Sequence, residues 1–332
     1  MDNEPVDTKL APYLQGGRDQ LLPALWTAQR LYGYISEDTA KTIARALAVP
    51  ASEVFGVLEF YEMFSTEPAG RRVIRVCTGP VCRAKGATDL LAGACAAHDI
   101  DPGQVTADGE LTIESSPCLG LCDGAPAALS AQTPVFDADA GGNWRWVESP
   151  GAGPTGHVGG ATRRKLSRCA DGVRGLPAYL DSGGYQGLRR ALHGMTPAEV
   201  IDEIKESKLV GRGGAAFPTG LKWQFTAEAP AAIRYVVANG DESEPGTFKD
   251  RVLMENDPFA VLEGMAIAGY AIGAPRGYLY IRGEYPRAQT TMAKAIDAAR
   301  EAGLLGAAID RTDFSFDIVL RSGAGAYICG EE

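Results

Sequence analysis

Histidine is scarce in this 332-residue sequence, and an excess of basic charge and long apolar runs are absent from it. Lys and Arg total 32 against 42 Asp and Glu, a formal charge of −10, which argues against a general nucleic-acid binder offering a basic patch to phosphates. The longest apolar stretch, around Gly264 to Ala274, is too short for a bilayer, which takes roughly 18–20 residues. The opening MDNEPVDTK is acidic and lacks the basic-then-apolar pattern of a secretory signal. No period of about 20–50 residues recurs, which argues against a solenoid. Of the three histidines, His98, His157 and His193, none stands at ligand spacing to a cysteine pair, so each reads as a surface or core residue. What is present is ordinary for a globular chain: 45% hydrophobic and 22% charged residues, at a length that suits about two domains. These features together predict a soluble, cytosolic protein.

Cysteine is the next discriminator. An odd count of seven, without an export signal, speaks against a disulfide framework. Cys77 and Cys82 are spaced C-x4-C in CTGPVC, and Cys118 and Cys122 are C-x3-C in CLGLC, whereas Cys95, Cys169 and Cys329 stand alone. Four thiolates from two loops satisfy the four-thiolate requirement of a [2Fe–2S] centre, one pair per iron. Structural zinc, with its usual C-x2-4-C knuckle, is read as the less fitting alternative, and buried or redox thiols remain a third reading at this point. Cys95 falls on the apolar side of a predicted helix and reads as packing.

Patterning divides the chain into an N-terminal tail (1–18), a helical block (19–70), a small α/β domain (71–148), a Gly- and Pro-rich linker (149–174) and a second α/β block (175–332). In the first α/β domain, strands are expected at Val73–Val76, Leu111–Ile113 and Ala125–Leu129, with a helix from Ala84 to His98. In the second, strands at Ile233–Ala238, Tyr278–Ile281 and Phe316–Leu320 alternate with helices at Pro197–Ser207, Phe259–Ile272 and Pro286–Ala302. That alternation predicts a largely parallel, Rossmann-like sheet covered on both faces.

Three loops of the second block invite a ligand. GRGGAAFPTGLKW, Gly211 to Trp223, matches G-x-G-x-x-A, but the dinucleotide fingerprint must follow a strand, and this loop follows a predicted helix. It remains a glycine loop able to bring backbone N–H groups close to a phosphate or flavin, with Arg212 and Lys222 at its ends. ANGDESEPGTFKDR, Ala238 to Arg251, follows a strand, where parallel sheets bind ligands. Its Asn239, Asp241, Glu242, Ser243 and Glu244 offer partners for ribose or ribityl hydroxyls. SGAGAYICGEE, Ser322 to Glu332, follows the last strand in the same way.

The run from WTAQRLYGYIS through VFGVLEFYEMF to CTGPVC and SSPCLGLCDGAP resembles the thioredoxin-like [2Fe–2S] subunit of the respiratory complex I input module, over about residues 19–130. The three loops, with IRGEY at Ile281 to Tyr285, resemble the FMN- and NADH-binding subunit of the same module, and related subunits of NAD-reducing hydrogenases and NAD-linked formate dehydrogenases. The resemblance implies that Cys77, Cys82, Cys118 and Cys122 ligate a [2Fe–2S] cluster. It implies that Gly211, Arg212, Gly213, Gly214 and Lys222 hold FMN with Asn239, Asp241 and Ser243. Phe217 and Phe225 would sandwich the adenine, Glu244 would contact the reacting nicotinamide end, and Tyr327, Gly330, Glu331 and Glu332 would close the pocket. Glu332 would read the adenosine ribose and favour NADH over NADPH.

The implied activity is NADH dehydrogenase: hydride from NADH to FMN, then single electrons to iron–sulfur clusters and on to quinone or a partner subunit. A diaphorase of a hydrogenase or formate dehydrogenase is the alternative within the family. A non-enzymatic [2Fe–2S] carrier and a zinc- or thiol-stabilised assembly protein are the alternatives outside it. Expected partners are NADH and other iron–sulfur subunits, with no nucleic acid and no direct membrane span. The expected location is the cytoplasm, including the cytoplasmic face of the inner membrane reached through those subunits. The family continues past the point matching Glu332 with more sheet, an Asn-rich flavin-contacting segment and a [4Fe–4S] domain, so the chain reads as a fragment with an incomplete FMN cradle. Two departures stand out: Ala216, where the family usually has Gly, and Gly240, which replaces a usual Ala and is expected to matter little.

Overall fold

A computed structural model of the protein describes residues 8–136, 166, 168–169 and 175–330. Most of the expected linker, His157, Glu331 and Glu332 lie outside the described residues.

The helical block consists of α1 (Leu21–Tyr32), α2 (Glu37–Ala46) and α3 (Ala51–Phe60). Ser36 Oγ accepts the Thr39 N–H at 3.2 Å, satisfying an orphan donor and fixing the start of α2. Leu25, Ile43, Val54 and Leu58 form its buried centre, continuous with the cluster loops through Cys77, Cys82 and Leu119.

The first α/β domain has strands β1 (Arg72–Cys77), β2 (Leu111–Ser116), β3 (Ala127–Ser130) and β4 (Thr133–Phe136), in the order β2-β1-β3-β4. β1 and β2 are parallel; β3 and β4 are each antiparallel to their predecessor in the sheet. The expected helix at Ala84–His98 is α5 (Ala87–Ala97), which crosses over between β1 and β2, and a separate turn α4 (Pro80–Arg83), which carries Cys82, precedes it. Cys95 packs with Leu90, Ala94 and Ile113, as its pattern suggests. β4 was not expected, because its alternation lasts only four residues and fades into the Gly-rich segment.

The second block begins with α6 (Leu176–Asp181), α7 (Gln186–Gly194), α8 (Pro197–Glu206) and α9 (Thr219–Glu228). The sheet follows: β5 (Tyr235–Gly240), β6 (Arg276–Ile281) and β7 (Asp317–Ser322), parallel and in sequence order. Helices α10 (Lys249–Asn256) and α11 (Pro258–Ile272) connect β5 to β6, and α12 (Pro286–Glu301) connects β6 to β7. Helices α6, α7, α9 and α10 have no counterpart in the sequence reading; each is short, and α9 fully buries only Gly220, so it shows no apolar stripe.

The expectation of a sheet covered on both faces is corrected. α11 packs on β5 and β6 and touches α12, which lies against β7, burying Leu279, Ile281 and Ile318 on one face. On the other face Tyr235 and Val237 of edge strand β5 stay exposed.

Candidate cluster and flavin–nucleotide site

Cys77 ends β1, Cys82 sits on α4, and Cys118 and Cys122 lie on the loop between β2 and β3. The structure brings all four sulfurs together. Cys118 and Cys122 Sγ are 3.6 Å apart. The neighbouring thiols push Cys77 and Cys122 up, while Cys118, beside Cys122 and Cys77, and Cys82, beside Cys77, are lowered.

Gly120 donates its backbone N–H to Cys118 Sγ at 3.4 Å. The peptide N–H groups of Leu119 near Cys77, Ala127 near Cys82 and Gly246, from the other domain, near Cys118 and Cys122 favour the thiolate form of each. Such donors stabilise thiolate charge, as a bound cluster requires. Among the described residues no three His, Cys, Asp or Glu side chains converge to hold a single ion. Two cysteine pairs on two loops suit a binuclear centre, one pair per iron, better than the tetrahedron of zinc. Gly120 is the tightest point of this loop: its φ is +65°, and a Cβ there would fall 2.1 Å from the Tyr285 hydroxyl oxygen.

The acidic and third loops leave the carboxyl ends of β5 and β7, and hydrogen bonds join them. Asn239 Nδ2 donates to the Cys329 carbonyl at 3.1 Å, and Tyr327 Oη donates to Glu244 Oε2 at 2.5 Å. Asn239 Oδ1 accepts the Asp241 N–H, and Ser243 Oγ donates to Asp241 Oδ2 at 2.7 Å. Burial raises the Asp241 carboxyl to about 6, despite the Ser243 donor. Glu242, read with its neighbours as an acceptor for ligand hydroxyls, is turned inward instead. It accepts the Asp250 and Arg251 N–H groups at the start of α10 and the Lys249 ammonium at 3.1 Å.

The glycine loop follows α8 and leads into α9, which bears out the rejection of a strand-led fingerprint. It closes on itself through Gly211 N–H to Phe217 C=O at 2.9 Å. A 280 Å³ cavity lies between Gly211, Gly213, Phe217 and Lys222 on one side and Tyr235 and Val237 of β5 on the other. Arg212, Gly214 and Phe225 are not in its lining, and Phe217 and Phe225 are 44% and 58% exposed. Ala216 adopts φ +51°, the left-handed region in which Gly would be unstrained. Gly240 is not an indifferent substitution: a Cβ would lie 2.8 Å from the Tyr280 carbonyl oxygen. Gly330 closes the last described turn.

The residues that join the two domains were missed by sequence reasoning. Trp26 Nε1 donates to Gly323 C=O at 2.9 Å, and the Met63 and Glu62 N–H groups bond to Ala324 and Gly325 carbonyls. Arg251, fully buried, reaches Gly120 C=O at 3.2 Å and Asp123 Oδ1 at 2.5 Å. Arg282, equally buried, donates to Cys118 C=O at 2.5 Å and Glu242 C=O at 2.5 Å. Both arginines lie in segments singled out for other reasons, KDR and IRGEY, but only a contact 128 to 164 residues away gives them a role.

Residues 6–140 match the family model of the thioredoxin-like [2Fe–2S] ferredoxin, and residues 204–332 that of the Nuo51 FMN-binding domain. A NADH-quinone oxidoreductase subunit of Rhizobium meliloti is 52% identical over 157 residues, covering 47% of this chain and 37% of the relative. The NAD-reducing hydrogenase HoxS subunit alpha of Cupriavidus necator is 34% identical over 343 residues, covering 98% of this chain and 57% of the relative. A solved NAD+-reducing [NiFe]-hydrogenase in the air-oxidised state superposes with a TM-score of 0.74 at 32% identity, covering 94% of this chain and 52% of that one. The chain thus spans about 37–57% of the length of the relatives it matches. Its first domain is similar to the thioredoxin-like [2Fe–2S] ferredoxins and its second to the Nuo51 FMN-binding domain.

Proposed function

We propose that this chain is the electron-input portion of an NADH-oxidising oxidoreductase, with a [2Fe–2S] cluster on Cys77, Cys82, Cys118 and Cys122 and an FMN- and NADH-binding site on the three loops. One observation carries the reading. The acidic loop that starts with Asn239 at the carboxyl end of β5 ends at Arg251, whose Nε donates to the Gly120 carbonyl of the cluster loop at 3.2 Å, so a single loop borders both sites. FMN, when bound, supplies the conversion between a two-electron hydride and one-electron transfers.

The chain's own residues bind, orient and exclude water. Gly211, Gly213 and Gly214 free the backbone N–H groups leading into α9, and Arg212 and Lys222 add cationic donors suited to a phosphate. Asn239, Asp241 and Ser243, already ordered among themselves, present acceptors and donors to ribityl hydroxyls. Glu244, held by Tyr327, faces the nicotinamide end as the residue assigned to the reacting centre, and no proton transfer by histidine is needed. Phe217 and Phe225 offer exposed rings for adenine, and the resemblance assigns Gly330, with Glu331 and Glu332 outside the described residues, to closing the pocket and Glu332 to selecting NADH.

The diaphorase of an NAD-linked hydrogenase is the favoured setting, because the hydrogenase relative aligns across both domains whereas the NADH-quinone oxidoreductase relative aligns with less than half of the chain. Partners are then other iron–sulfur subunits that carry electrons onward, in the cytoplasm or at the cytoplasmic face of the membrane. Among the described residues no helix is long and apolar enough to cross a membrane. The test is anaerobic addition of NADH to the FMN-supplemented chain. Bleaching of the flavin absorption followed by the electron paramagnetic resonance of a reduced binuclear cluster is expected. Bound flavin that NADH leaves oxidised would contradict the reading.

A further inference from the structure

We propose that Arg282, on the flavin-side domain, is a positioning residue that sets the reduction potential of the cluster in the other domain, acting through the Cys118–Leu119 peptide. This inference rests on the cluster reading of the four cysteines.

Arg282 follows β6 and is 2% exposed. Its Nη2 donates to Cys118 C=O at 2.5 Å and to Glu284 Oε1 at 2.7 Å, its Nη1 donates to Glu242 C=O, and the guanidinium lies 5.1 Å over the Tyr285 ring. The Cys118 carbonyl opens the turn whose Gly120 N–H donates to Cys118 Sγ at 3.4 Å. A guanidinium on that carbonyl places positive charge beside the ligand, polarises the Cys118–Leu119 peptide and holds the turn that supplies the sulfur its donor. Through Glu242 C=O the same fork ties the acidic loop to the cluster loop. Hydrogen bonds to sulfur and nearby positive charge both favour the reduced, more negative state of a cluster. Glu284 offsets that charge. Its Oε1 bonds Arg282, while its Oε2 is buried with no protein partner among the described residues. Removing the arginine fork and removing the glutamate charge must therefore move the potential in opposite directions.

The experiment is a potentiometric titration of the cluster signal in the full chain, with iron and acid-labile sulfide measured first, for the parent, Arg282→Lys, Arg282→Gln and Glu284→Gln. Arg282→Gln is expected to make reduction about tenfold less favourable, a fall of about 59 mV for a one-electron couple. Arg282→Lys keeps the charge but loses the fork and should fall by less; Glu284→Gln should rise. If Arg282→Gln does not retain its cluster, the other two variants decide. Potentials that do not move, a shift of the Arg282 and Glu284 variants in the same direction, or loss of the cluster from all three variants would overturn the proposal. A parent without iron would instead overturn the cysteine assignment on which it rests.

Discussion

Arg251→Ala should uncouple the two domains. The guanidinium is 2% exposed, and its Nη2 makes a 2.5 Å ion pair with Asp123 of the cluster domain. Its Nε holds the Gly120 carbonyl at 3.2 Å, its Nη1 lies 3.5 Å from Glu255, and its plane lies 5.6 Å from the Phe248 ring. Truncation leaves Asp123 without this partner and leaves Glu255 with Arg287 at 3.8 Å. Removing one member of a buried pair costs about 3–5 kcal/mol, because a desolvated charge stays behind. Asp123→Asn should cost less, since Arg251 keeps Glu255 and the Gly120 carbonyl, and a double-mutant cycle should return a coupling of about 1–3 kcal/mol. Urea unfolding followed by tryptophan emission, with Trp26 in the first domain and Trp223 in the second, is the assay. The parent should unfold in one transition and Arg251→Ala in two. A single transition displaced by less than about 1 kcal/mol would refute the view that this arginine joins the domains.

Three further outcomes are expected. Ala216→Gly relieves a left-handed φ and should stabilise the second domain by about 1 kcal/mol in the same urea assay; destabilisation would mean that the methyl group packs usefully against the cavity. The Asp241 carboxyl, raised by burial from 3.8 to about 6, binds its proton more tightly in the folded chain. Its contribution is therefore fully present below pH 4 and is lost as pH rises to about 6, a change of about 3 kcal/mol that Asp241→Asn should abolish. An unaltered pH profile in that variant would assign the effect elsewhere. Trp26→Phe deletes the N–H bonded to Gly323 C=O and should cost about 1 kcal/mol and weaken FMN retention, measured by fluorescence on dilution; retention equal to the parent's would separate the helical block from the third loop.

Both α/β layers, the alternation of strands and helices along the second block and the two cysteine pairs were legible in the sequence, for local reasons. Val73–Val76 and Tyr278–Ile281 are short apolar runs bounded by Gly or Pro, and the cysteine pairs are defined by spacing alone. Helix α9 was not legible, because its amphipathic signal is nearly absent and its start is set by Pro218 after a loop. The inward turn of Glu242 was hidden too: acidic runs look solvated until the start of α10 places two N–H donors against one of them. The arginines beside the cluster loop were hidden by distance along the chain. Nothing in the sequence around Arg282 announces Cys118. Glu331 and Glu332, assigned by resemblance alone, lie outside the described residues.

The most direct measurement is the iron and acid-labile sulfide content of the chain purified without oxygen. Four cysteines in two pairs, with the Gly120 N–H donated to Cys118 Sγ, predict about two of each per chain. One zinc per chain, or no metal with all seven thiols titratable, would contradict the assignment of Cys77, Cys82, Cys118 and Cys122 as cluster ligands.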